Sequence, residues 1–459
     1  MSMLSIGTSG LNAAQVALNV ASNNIANVNT PGYSRQEVLL GSRFAYGGLD
    51  NGIGVGVTGV RRIADNYLNT QLWSSGSATG FYRTQSQYLN TTEKMFGSDA
   101  LSITKGLDGL FAAFSAALES PESLAPRQQI ISSAQSLANR FNQLSLNLSN
   151  QEKQLSDEMT STIGEVNRYS SQVAALNKQI GELAAGGGNT SQLEDQRDEA
   201  IKALSGLVDV QVNRQADGSV NLSLSQGQPL VLGNSAGTLT LTNQSLAVQM
   251  GTQKFPVEQT LRGSLGGLID VRDNVLQPSR SELNDMALKL AQQINEQQGK
   301  GVDINDPRTL GKPLFTFDAS DPAATLKISA DFKAQDLAFG AAKLDASGNP
   351  ILDAAGHPVP EAGIGDNSNL QAIIDLKENH YDAYGTLLGK LAVQSGQAQA
   401  EYASSQKLQT EVQNKVNSVS GVNLDEEGVN IMQFAQAYQA NAKVISTADQ
   451  LFTTVLGMF

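Results

Sequence analysis

The chain has 459 residues, of which 40% are hydrophobic and 16% are charged, so it is long enough for about two to four domains with real cores. Its formal net charge of -13 argues against nucleic acid as a partner, because phosphate binding needs clustered lysine and arginine. The absence of cysteine excludes disulfides, thiol catalysis and zinc-thiolate sites.

The first 34 residues contain no aspartate, glutamate, lysine or arginine. Four large apolar residues recur there every seven positions: Leu4, Leu11, Leu18 and Ile25. Ala14, Ala21 and Val28 lie between them, which is the heptad pattern of a coiled-coil helix. Thr30, Pro31 and Gly32 end the pattern, because the residue before proline avoids the helical conformation. Residues 1–34 are therefore predicted to form a helix with a long apolar seam.

A second stripe on this helix consists of Asn12, Asn19, Asn23 and Asn27, which fall within about 80° of one another. Their uncharged amides can donate and accept hydrogen bonds between subunits. The alternative is a solvated polar face whose last asparagines cap the helix, but solvated faces without charges are unusual.

The next segments are predicted to form a helical trunk with β insertions. Residues 35–206 start with an extended stretch over 35–63 and contain a long helix from Leu137 to Leu183, which Gly186 to Gly188 end. Residues 207–262 form a β-rich module, in which Val208 to Val212 and Val220 to Leu224 alternate around an Asp217-Gly218 turn.

Helix resumes around Arg272 in the middle part of the trunk, 263–305. Proline and glycine punctuate a small β/loop outer module at 306–365, and the last part of the trunk, 366–424, carries a helix over Leu370 to Val419. The predicted fold class is thus mainly α with β insertions, a multidomain α+β chain whose modules project outward.

The C-terminal segment, 425–459, repeats the design of the first one. Ile431, Tyr438, Ile445, Phe452 and Phe459 are seven residues apart. Phe434, Ala448 and Val455 fill most intermediate core positions, and Asn441 is the polar exception. We expect this helix to form a coiled coil with residues 1–34. Asp425, Glu426 and Glu427 precede it, where carboxylates favour a helix N-terminus.

The segment SNNIANVNTPGYSRQ at 22–36 closely resembles the N-terminal signature of flagellar rod, hook and junction proteins. The matching positions are Asn23, Asn24, Asn27, Thr30, Gly32, Tyr33, Ser34 and Arg35. The Gly-Tyr-Ser-Arg ending is most similar to the hook-associated protein 1 family, which forms the hook–filament junction. Further similar stretches are GVGVTGVRRIADNYLNTQL at 54–72, LEDQRDEAIKALSGLVDVQV at 193–212, DGSVNL at 217–222, GGLIDVRD at 266–273 and the segment 421–452.

This resemblance implies a structural protein that forms a junction ring between hook and filament and allows the filament to assemble. Its implied partners are further copies in a ring or tube, the hook protein, and a second junction protein or the flagellin side of the filament. A cytoplasmic export chaperone would cover Phe434, Tyr438, Ile445 and Phe452 before secretion. The implied location is extracellular, at the hook–filament junction.

The resemblance also implies packing of the two terminal seams on each other within a subunit, while neighbouring subunits cover the remaining faces. It further implies export through the flagellar type III apparatus. No basic segment followed by an apolar core opens the sequence, so no Sec-type signal is expected. No run of 18 apolar residues predicts a membrane span.

Patterns for enzyme chemistry are weak, and we expect no catalytic, cofactor or metal site. Gly54, Gly56 and Gly59 spell GxGxxG but lack a clear preceding strand and a following acidic residue. His357 and His380 form no metal motif. Asp303, Asn305 and Asp306 lack the remaining calcium-loop spacing, so a polar turn is favoured. Trp73 is predicted to anchor packing.

Two alternatives remain open at this point. A rod or hook axial subunit shares the asparagine-rich signature and terminal helices but should lack the LEDQRD and DGSVNL segments. A secreted coiled-coil adhesin or effector explains the trunk and modules, but a free stalk should keep charges on its exposed face.

Overall fold

The computed structural model describes residues 3–43, 54–258, 261–305, 307–363 and 365–458. It is mainly α-helical with small antiparallel sheets, which confirms the predicted fold class. The helices are α1 (Met3–Ala26), α2 (Asn66–Phe96), α3 (Ile103–Ala117), α4 (Leu124–Ala185), α5 (Ser191–Leu207), α6 (Gly263–Val271), α7 (Gln277–Lys300), α8 (Pro322–Thr325), α9 (Ser368–Asp375), α10 (Glu378–Ser420) and α11 (Leu424–Leu456).

The strands are short and pair with strands near them in sequence. They are β1 (Gln36–Ser42), β2 (Val55–Arg62), β3 (Val210–Arg214), β4 (Val220–Leu224), β5 (Pro229–Leu232), β6 (Ser235–Ala236), β7 (Thr238–Thr242), β8 (Ser245–Met250), β9 (Gln253–Val257), β10 (Gly301–Val302), β11 (Phe315–Thr316), β12 (Lys327–Ile328) and β13 (Gly340–Ala341). The sheet orders are β1-β2, β3-β4-β5-β6, β7-β8-β9, β10-β13 and β11-β12.

The chain divides into two compact units, each assembled from separate stretches of sequence. Unit 1 comprises Met1–Tyr82, Thr160–Gly267 and Tyr402–Phe459, whereas unit 2 comprises Arg83–Met159 and Leu268–Glu401. The predicted domain ranges are continuous segments and stay a prediction.

Unit 1 contains the terminal helices, the β1-β2 hairpin, α5 and strands β3 to β9. The predicted hairpin around Asp217-Gly218 is confirmed, since β3 and β4 pair from Val210↔Leu224 to Arg214↔Val220. Its inward residues Val220, Leu222 and Leu224 are fully buried. Asn177 of α4 donates to the Val220 carbonyl at 2.7 Å and accepts from its amide at 3.1 Å. The sheet is thereby fixed to the helix.

Unit 2 packs α3, α7, α8, α9 and the short strands β10 to β13 around its own core. Arg127 is buried in this unit, with only 1% of the residue exposed. Its guanidinium donates to the Pro121 carbonyl at 2.7 Å and the Leu337 carbonyl at 2.5 Å, and it lies over the Phe339 ring. These contacts tie the start of α4 to the loop segments after α7.

Two predicted helix starts need correction. The long helix begins at Leu124 rather than near Leu137, and its 62 residues span about 93 Å. Pro126 fits its first turn, where a missing N–H has no helical partner. The helix predicted from Arg272 begins at Gly263, and a π-helical stretch, Arg272–Leu276, precedes Pro278.

The helix predicted over Leu370 to Val419 is interrupted. A turn at Leu376 and Lys377 separates α9 from α10, and i→i+3 hydrogen bonds close it. The apolar spacing continues through the turn, so periodicity alone did not reveal it.

Candidate assembly site

The two terminal helices pack against each other in unit 1, as the heptad patterns predicted. A β-carbon added at Gly7 would lie 2.8 Å from Ile445 Cγ1 and 3.4 Å from Val444 Cγ1, and one added at Gly10 would meet the Asn441 amide. The helices therefore run antiparallel, and facing residues have numbers that add up to about 451. Glycine at these points lets the two backbones approach closely.

The buried residues of α1 include the predicted seam residues Ala14 and Ala21 but none of the four large ones. Its buried residues are small: Gly7, Ala13, Ala14, Ala17, Ala21 and Asn24. Leu4 is 47% exposed, and Leu11, Leu18 and Ile25 are half-buried. The four large residues lie at the edge of the intramolecular contact rather than at its centre, because close backbone approach leaves room only for small side chains. Their role in contacts between subunits stays a prediction.

On α11 the predicted seam residues Ile431, Phe434, Tyr438 and Ile445 are half-buried. Phe452 and Val455 are 65% and 52% exposed, so their predicted packing on α1 of the same chain is wrong. The register explains this, since residues beyond 450 face no part of α1. Phe459 lies outside the described residues. We call residues 451–458 the C-terminal overhang; it also exposes Leu451, Leu456 and Met458.

The asparagine stripe lies on the outer side of α1. Asn12, Asn19 and Asn23 are exposed and Asn27 is half-buried. Asn27 Nδ2 donates to Asn23 Oδ1 at 2.9 Å, and Gln15 Nε2 donates to Asn19 Oδ1 at 3.2 Å. Most of the stripe remains accessible for contacts between subunits, and that role stays a prediction.

The signature after α1 forms a turn that fastens the helix. Asn24 is 1% exposed; its Oδ1 accepts from the Gln36 amide and the Tyr33 hydroxyl, and its Nδ2 donates to the Gln36 carbonyl at 2.9 Å. Burial raises the Tyr33 pKa to about 12, with Asp195 and Glu427 adding to the effect. The Thr30 hydroxyl donates a hydrogen bond to Asn27 Oδ1, which closes the preceding turn. Gly32 has φ +77° and packs against Glu199.

The end of the signature connects α1 to two other helices. The Ser34 amide donates to Asp195 Oδ2 of α5 at 3.1 Å. The Arg35 amide donates to the Ser420 carbonyl at 2.8 Å, and its guanidinium contacts Glu426 Oε2 at 2.7 Å. Asn423, rather than the acidic triplet, caps α11 by accepting from the Asp425 amide. The signature is thus a three-way anchor between α1, α5 and the start of α11.

Asn24 should be the stability-determining asparagine of this anchor. Asn24→Ala leaves the buried Gln36 amide and carbonyl without partners and should lower the free energy of unfolding of the anchor by about 2–4 kcal/mol. Hydrogen exchange of the amides at 30–36 measures the loss. Asn12→Ala, at an exposed asparagine of the same helix far from this turn, is the matched control and should leave exchange unchanged. Equal protection in both variants would contradict the assignment.

An ion-pair network behind the anchor was missed by the sequence reasoning. Arg62 of β2, with 8% of its side chain exposed, contacts Glu194, Asp195 and Asp198 of α5 at 2.8, 3.0 and 2.6 Å. Burial alone would lower the Arg62 pKa, but the neighbouring carboxylates outweigh it and raise that pKa. Arg62 lies in the VRRIAD stretch and its three partners lie in the LEDQRD stretch or just after it. The two stretches are more than 130 positions apart, so sequence spacing could not predict that they meet.

In the structure, the residues of the weak enzyme patterns make ordinary structural contacts. Gly54 has φ +102° and packs on Ser9, while Gly56 and Gly59 lie inside β2, so the GxGxxG is not a strand-to-helix turn. Asp303 accepts from the Asn305 and Thr309 amides and side chains, which uses its carboxylate within a turn. Burial lowers the His380 pKa to about 4. His357 donates its amide to Asp353 Oδ1, and Trp73 is buried.

Within the described ranges, no set of three or more histidine and carboxylate side chains is placed to hold a metal ion. No helix among them combines the length and hydrophobicity needed to cross a bilayer.

Comparison with known proteins identifies three family matches. A model described as the flagellar hook-associated protein FlgK helical domain matches residues 89–315. A model of the C-terminal part of flagellar basal body rod FlgEFG proteins matches residues 413–458, and a flagella basal body rod protein model matches residues 4–33. The terminal helices thus resemble those of axial proteins, and the middle resembles one kind among them.

Similar curated proteins extend over the whole chain. The flagellar hook-associated protein 1 of Escherichia coli strain K12 is 28% identical over 100% of both chains. The protein of the same name from Bacillus subtilis strain 168 is 26% identical over 97% of this chain and 96% of its own length. The flagellar hook junction protein FlgK from Burkholderia pseudomallei has a similar fold, with TM-score 0.64, 18% identity and coverage of 78% of this chain and 100% of that one.

Proposed function

Because this chain belongs to the flagellar hook-associated protein 1 family, we propose that it is the structural component of the flagellum that joins hook to filament and allows the filament to assemble. The observation that carries this function is the full-length match to hook-associated protein 1, combined with the helical-domain match over 89–315. A rod or hook subunit would account for the terminal matches alone.

The likeness also weighs against the secreted adhesin or effector. Such a protein needs neither terminal match, and it should keep charges on the outward face of its stalk. Here the outward asparagines Asn12, Asn19 and Asn23 and the C-terminal overhang present uncharged surface to the surroundings.

We further propose that copies form a ring or tube in which the terminal helices of neighbours cover one another. The support is the apolar surface that a single copy leaves exposed. The overhang exposes five large apolar side chains, and the first turns of α1 expose Met3, Leu4 and Ile6. Burying one such side chain contributes about 1.5–3 kcal/mol, so an assembly that covers them gains stability. The hook protein would contact one side, and a second junction protein or flagellin the other.

Electron microscopy of cells that lack this gene, with an assay for flagellin in the medium, tests the junction role. Hooks without filaments and flagellin shed as monomer are expected, because the hook and the export route stay intact when only the adaptor is missing. Absent hooks would instead indicate a rod or hook subunit. Complete filaments would contradict every axial role.

We propose that a cytoplasmic export chaperone binds α11 before the chain is exported through the flagellar type III apparatus to its extracellular place. Phe434, Tyr438, Ile445 and Phe452 are the candidate contacts. The support is that the first three are half-buried and Phe452 is exposed, so the helix offers apolar surface in a single chain.

Removing residues 425–459 should abolish chaperone binding, because all four candidate contacts are lost. Co-purification from the cytoplasm of an export-deficient strain measures it. The control removes residues 1–23, which deletes most of the other terminal helix but none of the candidate contacts, and should preserve binding. Undiminished binding after the C-terminal truncation would overturn this proposal.

A further inference from the structure

A small projecting element of unit 2 is built from an eight-residue repeat. LDASGNPI at 344–351 is followed by LDAAGHPV at 352–359. Three backbone hydrogen bonds close the segments into a ring: Lys343 donates to the Val359 carbonyl at 2.8 Å, Ile351 to Lys343 at 2.7 Å, and Val359 to Ile351 at 2.9 Å. We call residues 343–361 the knob. Each of its segments pairs with the other two, so the knob is held in one shape.

The knob exposes three large apolar side chains within a short segment. Leu344, Ile351 and Leu352 are 48%, 41% and 51% exposed. Asp345 and Asp353 lie at its two turns, both exposed, where each accepts amides of its own turn. The surface is therefore apolar with acidic turns beside it.

A groove elsewhere in unit 2 has an uncharged lining. One wall is α4, with Gln128, Ile131 and Ser132, and the other is the segment 328–332, with Ile328 and the buried Phe332. From Leu124 to Asn150 the only charged residues are Arg127, which is buried, and Arg140, which is bound to the Asp99 and Ala100 carbonyls. The α4 wall thus presents Ile131 and otherwise amide and hydroxyl groups to the groove.

Charges stand only at the rim of the groove. Lys327 and Lys333 are exposed on either side of the segment 328–332, with Asp331 between them. The rim thus carries two lysines and one aspartate, whereas the knob carries Lys343 with Asp345, Asp353 and Glu361, so the rim is net positive and the knob net negative.

We propose that the knob of one copy docks in the groove of the next copy; this rests on the proposed junction ring. A ring needs contacts between two different patches of each subunit, because a patch that pairs with itself closes at two copies. The knob and the groove are such a pair: apolar side chains enter an uncharged cleft, and Asp345 and Asp353 meet Lys327 and Lys333 at its rim.

The cysteine-free sequence allows a direct test by disulfide trapping, since introduced thiols have no competitors. Flagella are isolated from cells whose only copy carries Ser132→Cys together with Leu352→Cys, oxidised mildly and run under non-reducing conditions. A ladder of covalent multimers is expected. Each single variant should stay monomeric. Co-expressed single variants should give dimers and no larger product, because each copy then carries only one reactive partner.

Maleimide labelling of the single variants separates the remaining outcomes. Both thiols should react in the secreted monomer and become protected in isolated flagella. Protection of Ser132→Cys without any ladder would mean that a different flagellar protein fills the groove, and full reactivity of both thiols in flagella would mean that no contact exists. Either result overturns the proposal while the junction role stands. Absence of the chain from isolated flagella would instead refute the junction role, and the proposal with it.

Discussion

Cells whose only copy of this chain carries Ile445→Asp are expected to build hooks without filaments. Ile445 is half-buried in the terminal helix pair, at the closest approach to Gly7 of α1. Complete burial of such a side chain contributes about 1.5–3 kcal/mol. The substitution removes the part that half-buried Ile445 supplies and puts a carboxylate where it loses some of its water without gaining a partner. The terminal pair should separate while the rest of unit 1 stays folded, so the protein is made but cannot join hook to filament.

Electron microscopy and the amount of flagellin in the medium measure this result. Gln450→Asp is the matched control, because it adds the same charge on α11 at an exposed position next to Asp449. It should leave filaments of normal length. Leu18→Asp, which changes a half-buried residue of α1, should reproduce the filament defect. Normal filaments with either seam variant would refute the role of the pair.

Arg62→Met is expected to lower the free energy of unfolding of unit 1 by roughly 3–5 kcal/mol, because it leaves buried carboxylates without their cation. Asp195 and Asp198, which Arg62 contacts, are themselves largely buried, with 8% and 13% of their side chains exposed. Trp73 is the only tryptophan, is 4% exposed and lines the same cavity as Arg62. Its fluorescence during urea unfolding therefore reports on the region that the substitution disturbs.

The preceding residue supplies the control. Arg61 pairs with Glu37 at 3.0 Å, but 62% and 49% of the two side chains are exposed. Arg61→Met should change the free energy of unfolding by about 0–1 kcal/mol, as is usual for surface ion pairs. If the two arginine variants unfolded at the same urea concentration, the buried network would not be what holds β2 to α5.

The sequence predicted the terminal pair correctly because heptad spacing is a property of each helix alone. The large seam residues are less buried than predicted, since Leu4 is exposed and Leu18 is half-buried, whereas Gly7 and the predicted seam residue Ala14 are buried. The overhang was also missed. Its extent depends on the register between two segments about 440 residues apart, and periodicity within one segment does not contain that information.

The anchor shows the same limit. The signature residues were recognised by resemblance, but the partners of Ser34 and Arg35 lie in α5 and at the junction of α10 with α11. Short-range hydrogen bonds such as those of the 343–361 turns follow from local chemistry, because aspartate readily bonds the amides two and four residues on. Contacts across the chain follow only from the folded topology.

The antiparallel terminal pair has chemically different ends. Where α11 begins, Arg35 and Glu426 carry opposite charges beside the capped helix start; where it finishes, eight residues pass the last partner on α1 and show apolar side chains. A subunit with unlike ends has a direction. Copies that pack side by side through these helices in one orientation would form a layer with one charged rim and one apolar rim. Such a layer offers different chemistry to the structure below it and to the structure above it.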